Sequence, residues 1–219
     1  MKRELRITED GSHTLFVPGL DEPYHSIHGA IRESTHVFLK YGFNSVSKNP
    51  LRILEIGFGT GLNALLTWSA SIAGGTALYY HAVEKYPLTK QEYRQINYEH
   101  SIKGVPPGSL IRMHEAKWDE PVTLDNHLTL FKERSDFRQM NPEGPFDLVY
   151  FDAFDPKKQP HLWSEEVFRT ISKLVPTGGI LVTYTVKGAV RRALISCGFK
   201  VEKLPGPPGK REMIRATKS

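Results

Sequence analysis

Hydrophobic and polar positions alternate between two periods along this chain. LRILEIG (51–57), ALYYHAVE (77–84), LIRMHEA (110–116), FDLVYFD (146–152) and ILVTYT (180–185) are short apolar runs that predict strands. The stretches between them repeat apolar residues at helical spacing, predicting helices over 62–71, 88–99, WSEEVFRTISKLV (163–175) and GAVRRALISCG (188–198). Upstream, apolar or small residues at 27, 30, 31, 34, 37, 38 and 41 predict an amphipathic helix over 25–43. Gly29, Glu33, His36 and Lys40 form a neighbouring stripe on it. Two extended runs, FKVEKLPG and KREMIRATK, come last, and the segment from Lys117 to Pro145 is less regular.

Strands alternating with helices imply right-handed crossovers and an α/β fold: a mainly parallel twisted sheet with both faces covered and an antiparallel last strand. With 219 residues and 39% hydrophobic content, one full core is expected. Turns at Asp10-Gly11 and Pro18-Gly19 mark residues 1–24 as an N-terminal arm or hairpin, leaving 25–219 as the domain. The polar N-terminus lacks a secretory core, and no apolar run is long enough to span a bilayer, so a soluble cytoplasmic protein without membrane contact is expected. The single cysteine, Cys197, excludes an internal disulfide and a cysteine zinc cluster. His25, His28 and His36 lack a partner set with ligand spacing, so no metal site is expected. Charge is skewed: from Lys157 onward there are thirteen Lys or Arg against four acids, within a net charge of +5. A basic C-terminal end suits a polyanion such as nucleic acid, and solvated surface charge is the equal alternative.

In an open α/β sheet the ligand sits beyond the carboxyl ends of the strands, which draws attention to Gly57, Gly59 and Gly61 after the first strand. Glycines there let backbone approach a ligand, and the following helix offers free N–H groups. A dinucleotide fingerprint would want its third small residue at 62, which is Leu62. The spacing G-x-G-x-G, preceded by Glu55, instead resembles the first motif of class I S-adenosylmethionine (SAM) methyltransferases, which have a Rossmann-like fold. That resemblance implies SAM as cofactor, held by Glu33, Glu55, Gly57, Phe58, Gly59, Thr60, Gly61 and Asn63. Acids at strand ends extend it: Glu84 for the ribose hydroxyls, Glu115 near the adenine, and Asp152 at the fourth strand. For any one of the three, a solvated acid or helix cap is an alternative of nearly equal weight.

ESTHVF (33–38), GFGTGLN (57–63), FDAFDPKKQPHLW (151–163) and KREMI (210–214) together resemble the methyltransferase part of the MnmC family, the tRNA 5-methylaminomethyl-2-thiouridine biosynthesis enzymes. The resemblance runs from about Tyr24 to Thr217 and is weakest between Lys117 and Gly144. It implies a stand-alone methyltransferase without the flavin domain that is often fused to it, acting on tRNA. The reaction implied is methylation of the primary amine of 5-aminomethyluridine at the wobble position. Asp152 is the catalytic candidate, since a carboxylate there can orient the amine and take its proton, although a nearby anion also favours the ammonium. Phe154 and Pro156 are expected to wall the extruded base, with core packing an equal reading for Phe154. Tyr184 faces the substrate or is merely structural, and Glu33 is either beside the cofactor or a solvent-facing acid. Lys157, Lys210 and Arg211, with Lys158, Lys187, Arg191 and Arg192, lie at the expected rim and suit phosphate contacts. Two rivals stand: an aminopropyltransferase of the spermidine synthase type, which the D-x-x-D-P of FDAFDP also resembles, and a non-catalytic SAM- or RNA-binding module.

Overall fold

The computed structural model describes residues 1–219. The chain opens with a three-stranded antiparallel meander, β1 (Glu4–Ile7), β2 (His13–Val17) and β3 (Glu22–Pro23). An eight-stranded sheet follows, built from β4 (Leu51–Ile56), β5 (Leu78–Val83), β6 (Pro121–Thr123), β7 (Leu128–Glu133), β8 (Leu148–Phe151), β9 (Ile180–Thr183), β10 (Phe199–Pro205) and β11 (Glu212–Lys218). Their order is β10-β11-β9-β8-β4-β5-β7-β6. The five central strands β9, β8, β4, β5 and β7 are mutually parallel, while β11 runs against β9 and β10, and β6 runs against β7.

Strand order reverses at β4: the chain continues through β5 and β7 on one side and through β8 and β9 on the other. That switch opens a crevice beyond the carboxyl ends of β4 and β8. Successive residues of the central strands feed opposite faces, as the pleat requires. Ile53, Leu148 and Tyr150 join one core with Leu65 and Trp68 of α2 (Leu62–Gly74). Leu54, Val149 and Phe151 join the other, with Phe168 of α6 (Glu165–Leu174) and Leu194 of α7 (Gly188–Ser196). Burial on both faces explains why these strands read as near-continuous apolar runs. No helix is long and apolar enough to cross a membrane.

The structure corrects three expectations. The helix over 25–43 starts later, as α1 (Ala30–Ser34), and continues into a π-helical stretch, Thr35–Lys40. Its first turn has no local cap; Asp10 Oδ2 accepts the Arg32 N–H at 3.0 Å and Thr8 Oγ1 the Ala30 N–H at 3.3 Å, both from the β1–β2 turn. The helix over 88–99 is two short pieces, α3 (Lys90–Tyr93) and α4 (Tyr98–Ser101). LIRMHEA is a helix, α5 (Ser109–Glu115), whose first N–H groups are taken by Glu99: Gly108 N at 2.8 Å and Leu110 N at 2.6 Å. The third parallel strand of this half is β7, inside the segment that read as irregular.

Candidate active site

A cavity of about 450 Å³ lies at the switch point. The glycine loop, the ends of β5 and β8, α1, the β10–β11 tip and residues 22–26 of the N-terminal meander enclose it. Among the residues expected from the sequence, Glu33, Gly57, Phe58, Gly59, Thr60, Asn63, Glu84, Asp152, Phe154, Tyr184 and Lys210 line it. Glu55, Gly61, Glu115, Pro156, Lys157 and Arg211 do not. For Glu115 the cause is the α5 correction: it ends a helix, not a strand. Its carboxylate pairs with Lys90 at 3.2 Å on the outer surface.

Two glycines of the loop need their conformation and their missing side chain. Gly57 has φ +96°, and a Cβ there would meet the Asp152 carbonyl oxygen at 2.7 Å. Gly59 has φ +51°, and its Cβ would touch the Tyr24 ring at 3.0 Å. Glu84 pins this loop: Oε2 accepts the Gly59 N–H at 3.0 Å and Oε1 the Tyr86 N–H at 2.7 Å. Each oxygen keeps a second lone pair, so the carboxylate can still receive hydroxyl donors. Thr60 is 1% exposed and locked from three sides. Tyr98 donates to its Oγ1 at 3.0 Å, His25 Nε2 lies at 3.4 Å, and His114 Nε2 donates to its carbonyl at 3.0 Å. Burial lowers both histidines to about 4, leaving them neutral near pH 7.

Beneath the loop, one amide joins two carboxyls. Asn63, on the first turn of α2, donates through Nδ2 to Glu55 Oε1 at 3.0 Å and to Asp152 Oδ2 at 2.8 Å. Glu55 is wholly buried, and burial pushes its pKa well above the usual carboxylate range, against the Asn63 hydrogen bond. It lies under the cavity floor rather than in its wall. Glu55→Gln, a neutral isostere, is expected to melt at pH 8 no lower than the parent chain; a fall of several degrees by calorimetry would mean that Glu55 carries a charge. The sign follows from the raised pKa, since an acid that holds its proton more tightly when folded loses stability as pH rises through that pKa.

Asp152 faces the cavity on one side and protein on the others. Burial pushes it up to about 7; the Asn63 hydrogen bond and Lys210 oppose this, and Glu33 adds to it. Glu33, 7% exposed, accepts the Ser26 N–H at 2.8 Å and pairs with Lys210. The Lys210 ammonium lies 4.1 Å above the Tyr184 ring. The Tyr184 hydroxyl donates to the Ala153 carbonyl at 2.8 Å, fixing the loop after β8. Phe154 lies edge-on to Tyr24, with ring centroids 4.9 Å apart.

Several lining residues carry no local sequence signal: Glu22, Tyr24 and His25 from the meander, and Asp136 and Phe137 after β7. Arg138 and Lys85 hold the Asp136 carboxylate well below its usual range. Correct placement of β7 would have pointed to Asp136, the acid just past its carboxyl end.

These residues fit SAM. The loop offers close backbone, Glu84 offers free lone pairs, and the buried Asn63 Oδ1 has no donor from the protein. Glu22, Glu33, Glu84, Asp136 and Asp152 outnumber the lining lysines Lys85 and Lys210, which suits a sulfonium cation.

Known proteins fit the same picture. The tRNA 5-methylaminomethyl-2-thiouridine biosynthesis bifunctional protein MnmC of Cupriavidus metallidurans is 32% identical over 96% of this chain and 33% of its own length. Its counterpart in Ralstonia nicotianae is 34% identical over 93% of this chain and 33% of its own length. The chain thus spans about a third of the length of these relatives. MnmC2 from Aquifex aeolicus superposes with a TM-score of 0.78 at 27% identity, over 99% of this chain and 70% of that one. A family model described as S-adenosyl-L-methionine-dependent methyltransferase matches residues 107–219, just over half of the sequence, and the chain belongs to that family.

Proposed function

We propose that this chain methylates the primary amine of 5-aminomethyl(-2-thio)uridine at the wobble position of tRNA, in the cytoplasm, using SAM. The observation that carries the reading is Asp152: a carboxyl poised near neutrality on the cavity floor, below the partners that hold it. An ammonium has no lone pair to donate, so an amine acceptor needs a group that takes a proton near pH 7 and then holds the amine in line. When bound, SAM supplies an electrophilic methyl group, its S–C bond breaking as the amine's N–C bond forms. Asp152 is the base placed to take the ammonium proton before transfer, and the methylated amine leaves as its secondary ammonium. Gly57, Gly59, Thr60, Asn63 and Glu84 would hold the cofactor. Phe154 and Tyr184 offer flat surfaces for a base taken out of its stack.

The MnmC relatives are named for tRNA modification, which supports tRNA as partner here. Register supports the same face for it. The β10–β11 tip with Lys210 and Arg211, the start of α7 with Arg191 and Arg192, and the loop with Lys157 and Lys158 all lie at the carboxyl ends of the parallel strands. Phosphate contacts from that rim would give salt-dependent affinity, and the base pocket would give selectivity.

Purified protein incubated with labelled SAM and tRNA bearing 5-aminomethyluridine is expected to yield a wobble nucleoside heavier by one methyl, read by nucleoside mass spectrometry. SAM binding without that product would sink the amine assignment and favour a non-catalytic module. Turnover of decarboxylated SAM with a diamine would favour the aminopropyltransferase instead; the buried, fully engaged Thr60 where such enzymes usually carry an acid speaks against it.

A further inference from the structure

Glu22 belongs to none of the sequence motifs, yet β3 brings its side chain to the cavity that holds Asp152, Phe154 and Tyr184. One carboxylate oxygen, Oε1, accepts the Asp155 N–H at 2.8 Å and so latches the meander to the loop after β8. The other, Oε2, is shielded from solvent and has no hydrogen-bond partner. Nearby cations are engaged elsewhere: Lys158 with Asp21 at 3.5 Å, and Lys187 with Asp155. A buried acceptor without a donor costs a folded protein stability, and each such group in a native structure calls for an explanation. Burial pushes the Glu22 carboxyl above its usual range, while the Asp155 N–H, Lys158 and Lys187 favour its charge; in the ionised form it only accepts, and the partner it lacks is then a donor.

Resting on the amine reading above, we propose that Glu22 is a specificity-determining residue whose free oxygen accepts an N–H from the ring of the acceptor base. With the aminomethyl group directed to Asp152, the donor left on a uracil is its imide N3–H, flanked by two acceptors. A cytosine presents an acceptor at that atom and would leave two lone pairs facing each other. A site that hydrogen-bonds one particular donor rejects analogues lacking it far more strongly than an apolar pocket can. Carboxylate acceptors make such bonds among the stronger ones available.

Glu22→Gln separates this role from the latch, because the amide carbonyl can still accept from Asp155 while the free oxygen becomes an NH2 donor. Wild type and variant are assayed on tRNA carrying 5-aminomethyluridine or its N3-methyl derivative, with SAM affinity and melting temperature measured alongside. In the wild type, blocking N3 is expected to lower kcat/KM at least a hundredfold. In the variant, activity on the unblocked tRNA is expected to fall at least tenfold, and blocking N3 to cost less than threefold more. SAM affinity should stay within threefold and the melting temperature unchanged. An N3-methyl penalty as large in the variant as in the wild type, or a variant within twofold of wild type on unblocked tRNA, overturns the role. If the wild type does not turn over the amine, the amine assignment has failed on its own. Equilibrium binding of tRNA with uridine or N3-methyluridine at that position then makes the same comparison, and equal N3-methyl penalties overturn the role.

Discussion

Asp152→Asn is expected to lower methyl transfer at least a hundredfold and, at the same time, to make the protein more stable at pH 8. The variant keeps the shape and the Asn63 hydrogen bond, since an amide oxygen can still accept from Nδ2, but it cannot take a proton. General-base contributions of this kind run to about 10²–10⁴. In the wild type, kcat should rise with pH to a plateau, with a midpoint near the value of about 7 set by burial. That limb should vanish from the residual activity of the variant. The stability gain has the same origin. A carboxyl at about 7 in the folded chain and 3.8 ordinarily favours folding below about pH 4, and the advantage is lost as pH rises through 7. Removing the charge should therefore raise the melting temperature most at pH 8, by less than half as much at pH 5, and little at pH 3. Activity within tenfold of wild type, with an unchanged pH limb, would reduce Asp152 to a packing residue.

The second large effect is expected at Gly57. Its φ of +96° is unfavourable for any residue with a Cβ, and the new atom would sit 2.7 Å from the Asp152 carbonyl oxygen. Neither the loop nor the end of β8 can yield cheaply, because Asp152 N–H is bonded to Ile56 at 3.0 Å and Gly57 N–H to Val83 at 3.0 Å. Gly57→Ala should therefore push apart the two strand ends that frame the cofactor. A cost of about 2–3 kcal/mol is in the range for strain at a special backbone position. For a chain of this size that corresponds to a fall of about 5–10 °C in melting temperature. SAM affinity, measured by calorimetry, should weaken at least tenfold. Gly75→Ala is the control: φ is +66° but nothing lies within 4 Å of the added atom, so it bears strain alone and SAM affinity should hold. Equal behaviour of the two variants would show that the Gly57 contact is immaterial.

The α/β class, the glycine loop and the positions of Glu84 and Asp152 were legible in the sequence because doubly buried strands print long apolar runs, and each of these residues follows such a run directly. The third strand was not. LTLFKE alternates correctly, but its inward position at Lys132 carries a lysine, wholly buried. Its ammonium donates to the His114 carbonyl at 2.7 Å and lies 4.4 Å from the Trp118 ring. A charge in the core erased the apolar pattern there, while LIRMHEA offered a spurious one, and Glu115 was misplaced with it. The start of α1 is hidden in the sequence for a different reason: the acceptor for its first turn is Asp10, about twenty residues upstream in the β1–β2 turn. Glu22, Tyr24 and His25 escaped for the same cause, since only tertiary contact brings them to the cavity.

The position of β11 bears on how the molecule is made. This strand lies between β9 and β10, and Met213, Ile214 and Ala216 are wholly buried. A nascent chain on the ribosome that has not yet released residues 212–218 holds β9 with its edge open at Ile180–Thr183. Lys210, at the tip of the same hairpin, cannot reach Glu33 until that edge is zipped. The five parallel strands are complete by Thr183, whereas the cavity wall does not close until the later hairpin brings Lys210. Until it does, the unpaired β9 edge is the part of the chain most exposed to wrong pairing with another molecule.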